Sequence, residues 1–405
     1  MALTKQTALQ SLFGMSPGVL PDKYLGAPIF SGRVKKIHLQ PLVQKIRGRA
    51  SGYAGKMLAF AGRSTLVESV LASIPIHNLS VYKWPETVNK QGERNLKNFF
   101  WAGTPDVGKA VTVGWNKCCK PRKEGGLGFR RLKEVNQALL MKLGWSILKK
   151  DNNLARFMKA KYFSRNGTVI RYHKKSSIWT GLKWAIEKIL EDAVWDIGDG
   201  MSIDFWRDRW CCDAIKDRLQ LTDDETKNFS TKLGELTENG SWVVGPEMLQ
   251  VLQRAGIGIE ELPTIRGEKD ELIWPFATNG ELTAKNTYER IREKHQQPWW
   301  TEIMWRKAIH PRLAFLAWRI CWGRVLVDMV IKDLGVVKVS KCRLCNKDEE
   351  SLCHLFRDCE FLKKGMDWLG SQFKVQVTCL QQGKIERFLV YRPHGCGGGN
   401  LENQK

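Results

Sequence analysis

A chain of 405 residues with 43% apolar content is long enough for two or three domains with their own cores and too apolar to stay disordered. Its 65 Lys and Arg against 42 Asp and Glu give a net charge of +23, which points to a polyanionic partner, nucleic acid ahead of an anionic membrane surface. No apolar run reaches the ~18 residues of a bilayer span, and MALTKQTALQSLFGMSPG at the N-terminus lacks the apolar stretch and cleavage site of a secretory signal. The expectation is an intracellular protein, nuclear or cytoplasmic, with no membrane partner. In a reducing compartment the 11 cysteines read as thiols and metal ligands rather than disulfides.

The charge is unevenly placed. Residues 1–163 hold 28 Lys and Arg against 8 Asp and Glu, a net of +20, whereas the rest of the chain holds 37 against 34. A bias this large over this length favours a polyphosphate track over a merely solvated face.

Residues 33–75 read as helices. RVKKIHLQPLVQKIRGRAS sets Ile37, Val43 and Ile46 among Lys35, Lys36, Lys45, Arg47 and Arg49. In GRSTLVESVLASIP, Ser64 or Thr65 is expected to cap a helix whose stripe is Leu66, Val67, Val70, Leu71 and Ile74, with Pro75 limiting its length. ETVNKQGERNLKNFFWAG predicts a further helix, with Phe99, Phe100 and Trp101 as core. A basic loop follows: Lys117, Lys120, Arg122 and Lys123 precede Gly125-Gly126, and Arg130 and Arg131 come after. A glycine loop feeding a helix can cradle phosphate. The spacing matches neither GxGxxG nor GxxxxGK[ST], so a plain turn is the preferred reading. Leu139, Leu143 and Ile147 mark the core face of the next helix.

WDIGDGMSIDFWRDRW, residues 195–210, predicts a turn at Asp199-Gly200 between short strands. Asp196, Asp199, Asp204 and Asp208 read as turn acids and partners for Arg207 and Arg209 rather than metal ligands. Residues 220–270 are polar and irregular, a linker or small subdomain. IWPFATNGELTAKNTYERIR predicts strand, Asn279-Gly280 turn, strand and helix. HPRLAFLAWRIC predicts a helix opened by Pro311, with Leu313, Leu316, Ala317 and Ile320 on one stripe. Trp318 and Trp322, near Arg312 and Arg319, suit either an aromatic–basic binding face or packing.

CRLCNKDEESLCHLFRDCEF carries the most chemistry. Cys342, Cys345, His354 and Cys359 follow the pattern C-x2-C-x8-H-x4-C. Three sulfurs and an imidazole complete the tetrahedral set of a structural zinc site and leave no position for a reacting water, so the site staples the fold. On a straight helix His354 and Cys359 do not share a face, so the chain must bend or end between them. Cys353 sits beside His354 and could replace it. His354 is preferred because the spacing then resembles an enlarged zinc knuckle. Cys379 and Cys396 stand too far away to enlist.

HPRLAFLAWRICWGRVLVDMVIKDLG and CRLCNKDEESLCHLF, with the cysteine and tryptophan after them, closely resemble the zinc-binding module at the C-terminal end of plant LINE-type (non-LTR) retrotransposon reverse transcriptases. KYLGAPI, AGRSTLVESVLASIP, FFWAG and WNKCCKPRKEGGLGF resemble the segment after that family's polymerase palm. WDIGDGMSIDFWRDRW and NGELTAKNTY resemble its linker. The resemblance runs from about Tyr24 to about Trp368. It implies a thumb-like helical region, a connecting region and a zinc module that handles RNA or target DNA. The family's polymerase uses two metal ions on palm aspartates around an aromatic-x-Asp-Asp turn. Here Asp223-Asp224 lies in LTDDET, in the wrong region, and the roughly forty residues after Phe361 are too few for a ribonuclease H fold. No catalytic residue is assigned, and activity alone is not expected.

The sequence therefore predicts a mainly α, multi-domain protein with small α+β parts. Its expected regions are 1–110, a thumb-like basic helical region; 111–165, the basic glycine loop with its helix; 166–270, a linker with short strands; 271–370, the zinc module; and 371–405, a tail. The expected function is that of a truncated reverse-transcriptase remnant binding RNA or DNA. Phosphate contacts are assigned to Arg33, Lys35, Lys36, Lys45, Arg47, Arg49, Lys56, Arg63, Lys117, Lys120, Arg122, Lys123, Arg130 and Arg131, and structural zinc to Cys342, Cys345, His354 and Cys359. The alternatives are a protein–protein adaptor using the zinc module, and a polymerase component whose palm is supplied elsewhere.

Overall fold

The structure is a computed structural model. It describes residues 27–378 apart from 109–112, 165–168, 171, 173–175, 223, 227, 239, 334, 337–338 and 374, together with 7–8, 10–12, 14, 20, 22–24 and 390–393. Asp223, Cys379, Cys396 and residues 25–26 of the KYLGAPI motif lie outside the described residues. The fold is mainly helical, and its strands are short antiparallel pairs. The chain divides into two compact units, each drawn from three stretches: 1–46, 72–93 and 131–293 in one, 47–71, 94–130 and 294–405 in the other.

The first unit is organised by helix Leu132–Lys149, which has no polar face. Leu132, Asn136, Ala138, Leu140, Met141, Gly144, Trp145 and Ile147 are all buried, so neighbours must cover it on several sides. Helices Ile76–Leu79, Asn153–Tyr162, Trp179–Asp192 and Ala284–Ile291 do so. Leu139 and Leu143, expected as core, are half-buried beside Ile147. Gly144 permits the close approach of Trp179–Asp192, because a Cβ there would lie 3.0 Å from Ile189 Cδ1. Asn136 accepts from the Trp84 amide at 2.9 Å and donates to the Leu79 and Tyr82 carbonyls at 2.6 and 2.8 Å. It thereby satisfies three backbone groups where the chain before Glu86–Ala102 has no ladder.

The stretch 195–210 corrects the hairpin expectation. Val194–Asp196 pairs not with its sequence neighbour but with Glu271–Ile273. The intervening loop is held by Asp270, whose carboxylate accepts from the amides of Gly198, Gly200 and Ser202 at 2.8–2.9 Å. A remote acid thus does the work a local strand was expected to do. Gly280 turns at φ +67, but no second strand follows it. The chain goes straight into Ala284–Ile291, capped by Thr283 and Asn286 in a capping box. The four aspartates serve structure: Asp196 pairs with Arg266, Asp204 with Arg207, and Asp199 and Asp208 accept backbone amides. Arg209 pairs with Asp213. Residues 220–270 form a small ordered subdomain, in which Leu233, Leu236, Leu252 and Ile257 pack with Phe205, Trp206 and Trp210.

Further corrections concern helix faces. In Lys36–Ser51 the buried stripe is Leu39, Val43, Ile46 and Ala50, while Ile37 is 73% exposed. The helix begins only at Lys36, and the steps of four, three and four residues from Leu39 leave Ile37 on the opposite side. Neither Ser64 nor Thr65 caps anything: the helix starts earlier, at Phe60, and widens into a π-turn at Val67–Leu71.

In the second unit an aromatic core joins Phe60, Phe100, Trp101, Trp115 and Phe129, and Phe99 is buried against Tyr53. Arg63 lies against it and donates to the carbonyls of Gly55, Trp101 and Phe100 at 2.7, 3.1 and 3.3 Å. Two of these are orphan acceptors at the C-terminal end of helix Glu86–Ala102, where a cation is favoured.

Burial pushes the Asp208 carboxyl up to about 6, against the opposing pull of the Asp204 amide. A carboxyl raised above its unfolded value of ~3.9 binds its proton more tightly in the native state. Stability is therefore lost as pH rises through that window. Asp208→Asn keeps an acceptor and removes the charge. In urea melts the stability of the variant relative to the native protein should be greater at pH 7 than at pH 4 by about 2–3 kcal/mol; a constant difference would contradict the assignment.

Candidate metal centre

The segment from Cys342 to Cys359 folds locally through turns that its own residues dictate. The Cys342 amide donates to the Asp348 carbonyl at 2.7 Å and the Asn346 amide to the Cys342 carbonyl at 2.9 Å. These bonds close a knuckle in which Asn346 takes φ +53, a left-handed position that asparagine tolerates. Ser351 Oγ accepts from the His354 amide at 2.9 Å and starts the next turn. That turn, His354–Asp358, is π-helical, and the Cys359 amide closes it on the His354 carbonyl at 2.8 Å. In an α-helix residues five apart point roughly 140° away from each other, at ~3.6 residues per turn. The wider π-turn bonds i to i+5 and stacks them. The bend demanded by the H-x4-C spacing is this turn, which ends at Cys359 before helix Glu360–Phe373 begins.

The ligand atoms of Cys342, Cys345, His354 and Cys359 all lie within 4.8 Å of one another. Cys345 Sγ is 3.2 Å from His354 Nε2, and Cys342 Sγ is 4.0 Å from Cys359 Sγ. Bonds of ~2.3 Å to sulfur and ~2.0 Å to nitrogen at tetrahedral angles would set ligand atoms ~3.5–3.8 Å apart. The set therefore fits zinc in both donor chemistry and spacing. Among the described residues no other group of three or more His, Cys, Asp or Glu side chains converges in this way. Cys342 and Cys359 are fully buried, His354 nearly so and Cys345 half-buried. Cys353, also half-buried, stays out of the set.

The electrostatics suit a cation. Burial raises the Cys345 thiol, but the Lys347 and Asp348 amides and hydrogen bonds with Cys342 and His354 outweigh it and hold the group at about 6. Burial pushes the Cys342 thiol up, opposed by the Cys345 and Leu344 amides. Asp348 Oδ2 lies 3.4 Å from His354 Nδ1. Asp348 thus stands beside Nδ1 while Nε2 faces Cys345 Sγ, the outer-sphere arrangement of a histidine ligand. Sequence reasoning missed Asp348; the available signal was an acid inside the knuckle. Lys347–Glu360 at 2.6 Å and Lys332–Glu349 at 3.1 Å bind the knuckle to its flanking helices.

The assigned phosphate contacts divide by environment. Arg33, Lys35, Lys36, Lys45, Arg47, Arg49, Lys56, Arg122, Lys123 and Arg130 are exposed; Arg63, Lys117, Lys120 and Arg131 are half-buried. Arg47 pairs with Asp106 at 2.5 Å. Arg63 is committed to backbone carbonyls, as described, and leaves the set of free cations. Arg122 donates to the Leu127 carbonyl at 3.3 Å and lies 3.7 Å from Glu68. The glycine loop is a turn: Gly125 takes φ +83, and a Cβ on Gly126 would lie 1.9 Å from the Lys120 carbonyl oxygen.

The Gly125 carbonyl also settles the tryptophans. It accepts both indole N–H groups, Trp318 at 2.8 Å and Trp322 at 2.9 Å. Helix Pro311–Cys321 accordingly buries Ala314, Phe315 and Trp318. The apolar stripe read from the sequence is split, with Leu313 61% and Leu316 43% exposed and Ala317 and Ile320 half-buried. Two indole donors share this single acceptor, which fixes the Trp318 side of the helix inward.

Residues 282–365 match the family described as zinc-binding in reverse transcriptase. The C-terminal region is related to reverse transcriptases. Over 350 residues the chain is 26% identical to an Arabidopsis thaliana protein named, provisionally, as a ribonuclease H protein, covering 82% of this chain and 56% of that one. A mitochondrial protein of the same plant, named as uncharacterized, is 29% identical over 150 residues, 35% of this chain and 94% of its own. The chain thus spans little more than half the length of the first relative. With the cluster's geometry, the match makes zinc the cofactor of this reverse transcriptase zinc module.

Cys359→Ser should abolish stoichiometric zinc and lower the melting temperature of the module, whereas Cys353→Ser should keep one zinc per chain by atomic absorption. Zinc lost from both variants alike would show that the ligand set is wrong.

Proposed function

We propose that this chain is the nucleic-acid-gripping part of a plant LINE-type (non-LTR) reverse transcriptase, binding RNA or DNA through its backbone phosphates while the zinc module staples the fold. The observation that carries the reading is a run of exposed cations: Arg33, Lys35, Lys36, Lys45, Arg49 and Lys56 form no ion pair among the described residues. Together with the net charge of +20 over residues 1–163, this supports a sequence-independent electrostatic grip. A nuclear or cytoplasmic location follows from the same reading, because the nucleic acid is there. The zinc contributes folding free energy and no chemistry: four protein ligands leave it no open position. No residue of this chain is assigned to polymerisation.

Exposed Phe361 and Trp368 on helix Glu360–Phe373 favour a second reading, a protein-docking adaptor. The two readings differ in salt dependence. Each phosphate neutralised on duplex DNA contributes about −0.9 to the slope of log K against log salt. Binding of labelled duplex and single strands should follow a steep negative slope. Lys35→Gln, Lys36→Gln and Lys45→Gln combined should flatten it by about 2–3. Affinity near background at physiological salt would favour the adaptor.

A further inference from the structure

We propose that Lys117 and Lys120, held on the ring of Trp322, form a phosphate-binding cluster with Arg324 two residues further along the chain, joining the basic glycine loop to the zinc-module helix in one contact with the nucleic-acid backbone. This rests on the reading above and locates a phosphate within it; Arg324 and Trp322 are new to the interface.

The scaffold is fixed on both sides. Helix Pro311–Cys321 ends at Trp322, and Gly323 turns at φ +65. The Arg324 amide then donates to the Arg319 carbonyl at 2.8 Å. From the other side the Gly125 carbonyl holds the indole N–H of Trp322 at 2.9 Å. Trp300 meets the Trp322 ring edge-on, 6.2 Å between centroids and 82° between planes. Lys117 Nζ sits 4.0 Å from the Trp322 centroid and Lys120 Nζ 5.9 Å from it. A ring face orients a cation without neutralising it.

No carboxylate closes this cluster. Lys117, Lys120 and Arg324 make no ion pair among the described residues. Burial, and then the proximity of Arg324 and Lys120, hold the Lys117 ammonium below its usual range. Like charges on a rigid frame without a counter-charge are arranged for an anion. A phosphodiester suits them, since its oxygens can accept from separate donors while remaining exposed to solvent. The glycine loop therefore presents cations from its flanks, not amides from its turn.

The test uses the full zinc-loaded chain with labelled duplex DNA and single strands of the same sequence across a salt series. K117Q/R324Q should reduce the salt slope on the duplex by about 2 and weaken low-salt binding at least tenfold. Zinc content and helical circular dichroism should stay unchanged. An unchanged slope, while the Lys35, Lys36 and Lys45 variant flattens it, would overturn the cluster and leave the wider reading intact. If the double variant loses zinc or helix content, K120Q replaces it: a slope reduced by about 1 supports the cluster, and an unchanged slope overturns it. A wild-type chain that binds polyglutamate but neither nucleic acid overturns both.

Discussion

Three cysteine sulfurs and one imidazole, three of the four side chains buried, share a space under 5 Å across. As thiolates they would repel one another; as thiols they would leave polar groups packed together with little to bond. A single divalent cation resolves both problems, and the C-terminal module is arranged around that requirement. The left-handed Asn346, the π-turn at His354–Asp358 and the Asp348 carboxylate behind His354 each serve to aim one ligand. None of them would be needed by a plain helical hairpin.

A second fixed point, the Gly125 carbonyl, extends that organisation to the basic loop. Its two indole donors come from the helix that precedes the knuckle, so the loop's cations are presented by a rigid neighbour rather than by a free strand of chain. Preorganisation of this kind would lower the ordering cost of the polyanion contact proposed above. The zinc acts through structure alone: it shapes the module on which a charged surface is mounted.

Features encoded over short distances could be read from the sequence. The C-x2-C-x8-H-x4-C spacing states its own ligand set, and the requirement for a bend before Cys359 followed from helical geometry. The buried cluster Phe99, Phe100 and Trp101 and the helix opened by Pro311 were visible in the same way. What escaped depended on partners far along the chain. Asp199-Gly200 looks like a hairpin because Asp270, the residue that holds its loop, stands about seventy positions later. Leu313 and Leu316 share an apolar stripe in the sequence, but periodicity reports an apolar face without saying how much of it is covered. Trp318 is fixed inward through a hydrogen bond to a loop nearly two hundred residues upstream. Arg63 looked like a phosphate contact because charge alone does not distinguish a solvated guanidinium from one clamped on helix-end carbonyls.

The central claim, that these four side chains surround one zinc ion, is tested most directly by X-ray absorption at the zinc edge of the purified protein. The account predicts three sulfur scatterers at ~2.3 Å and one nitrogen at ~2.0 Å, with no additional oxygen. A metal-free protein with Cys342 and Cys359 joined as a disulfide, or a zinc shell containing water, would contradict it.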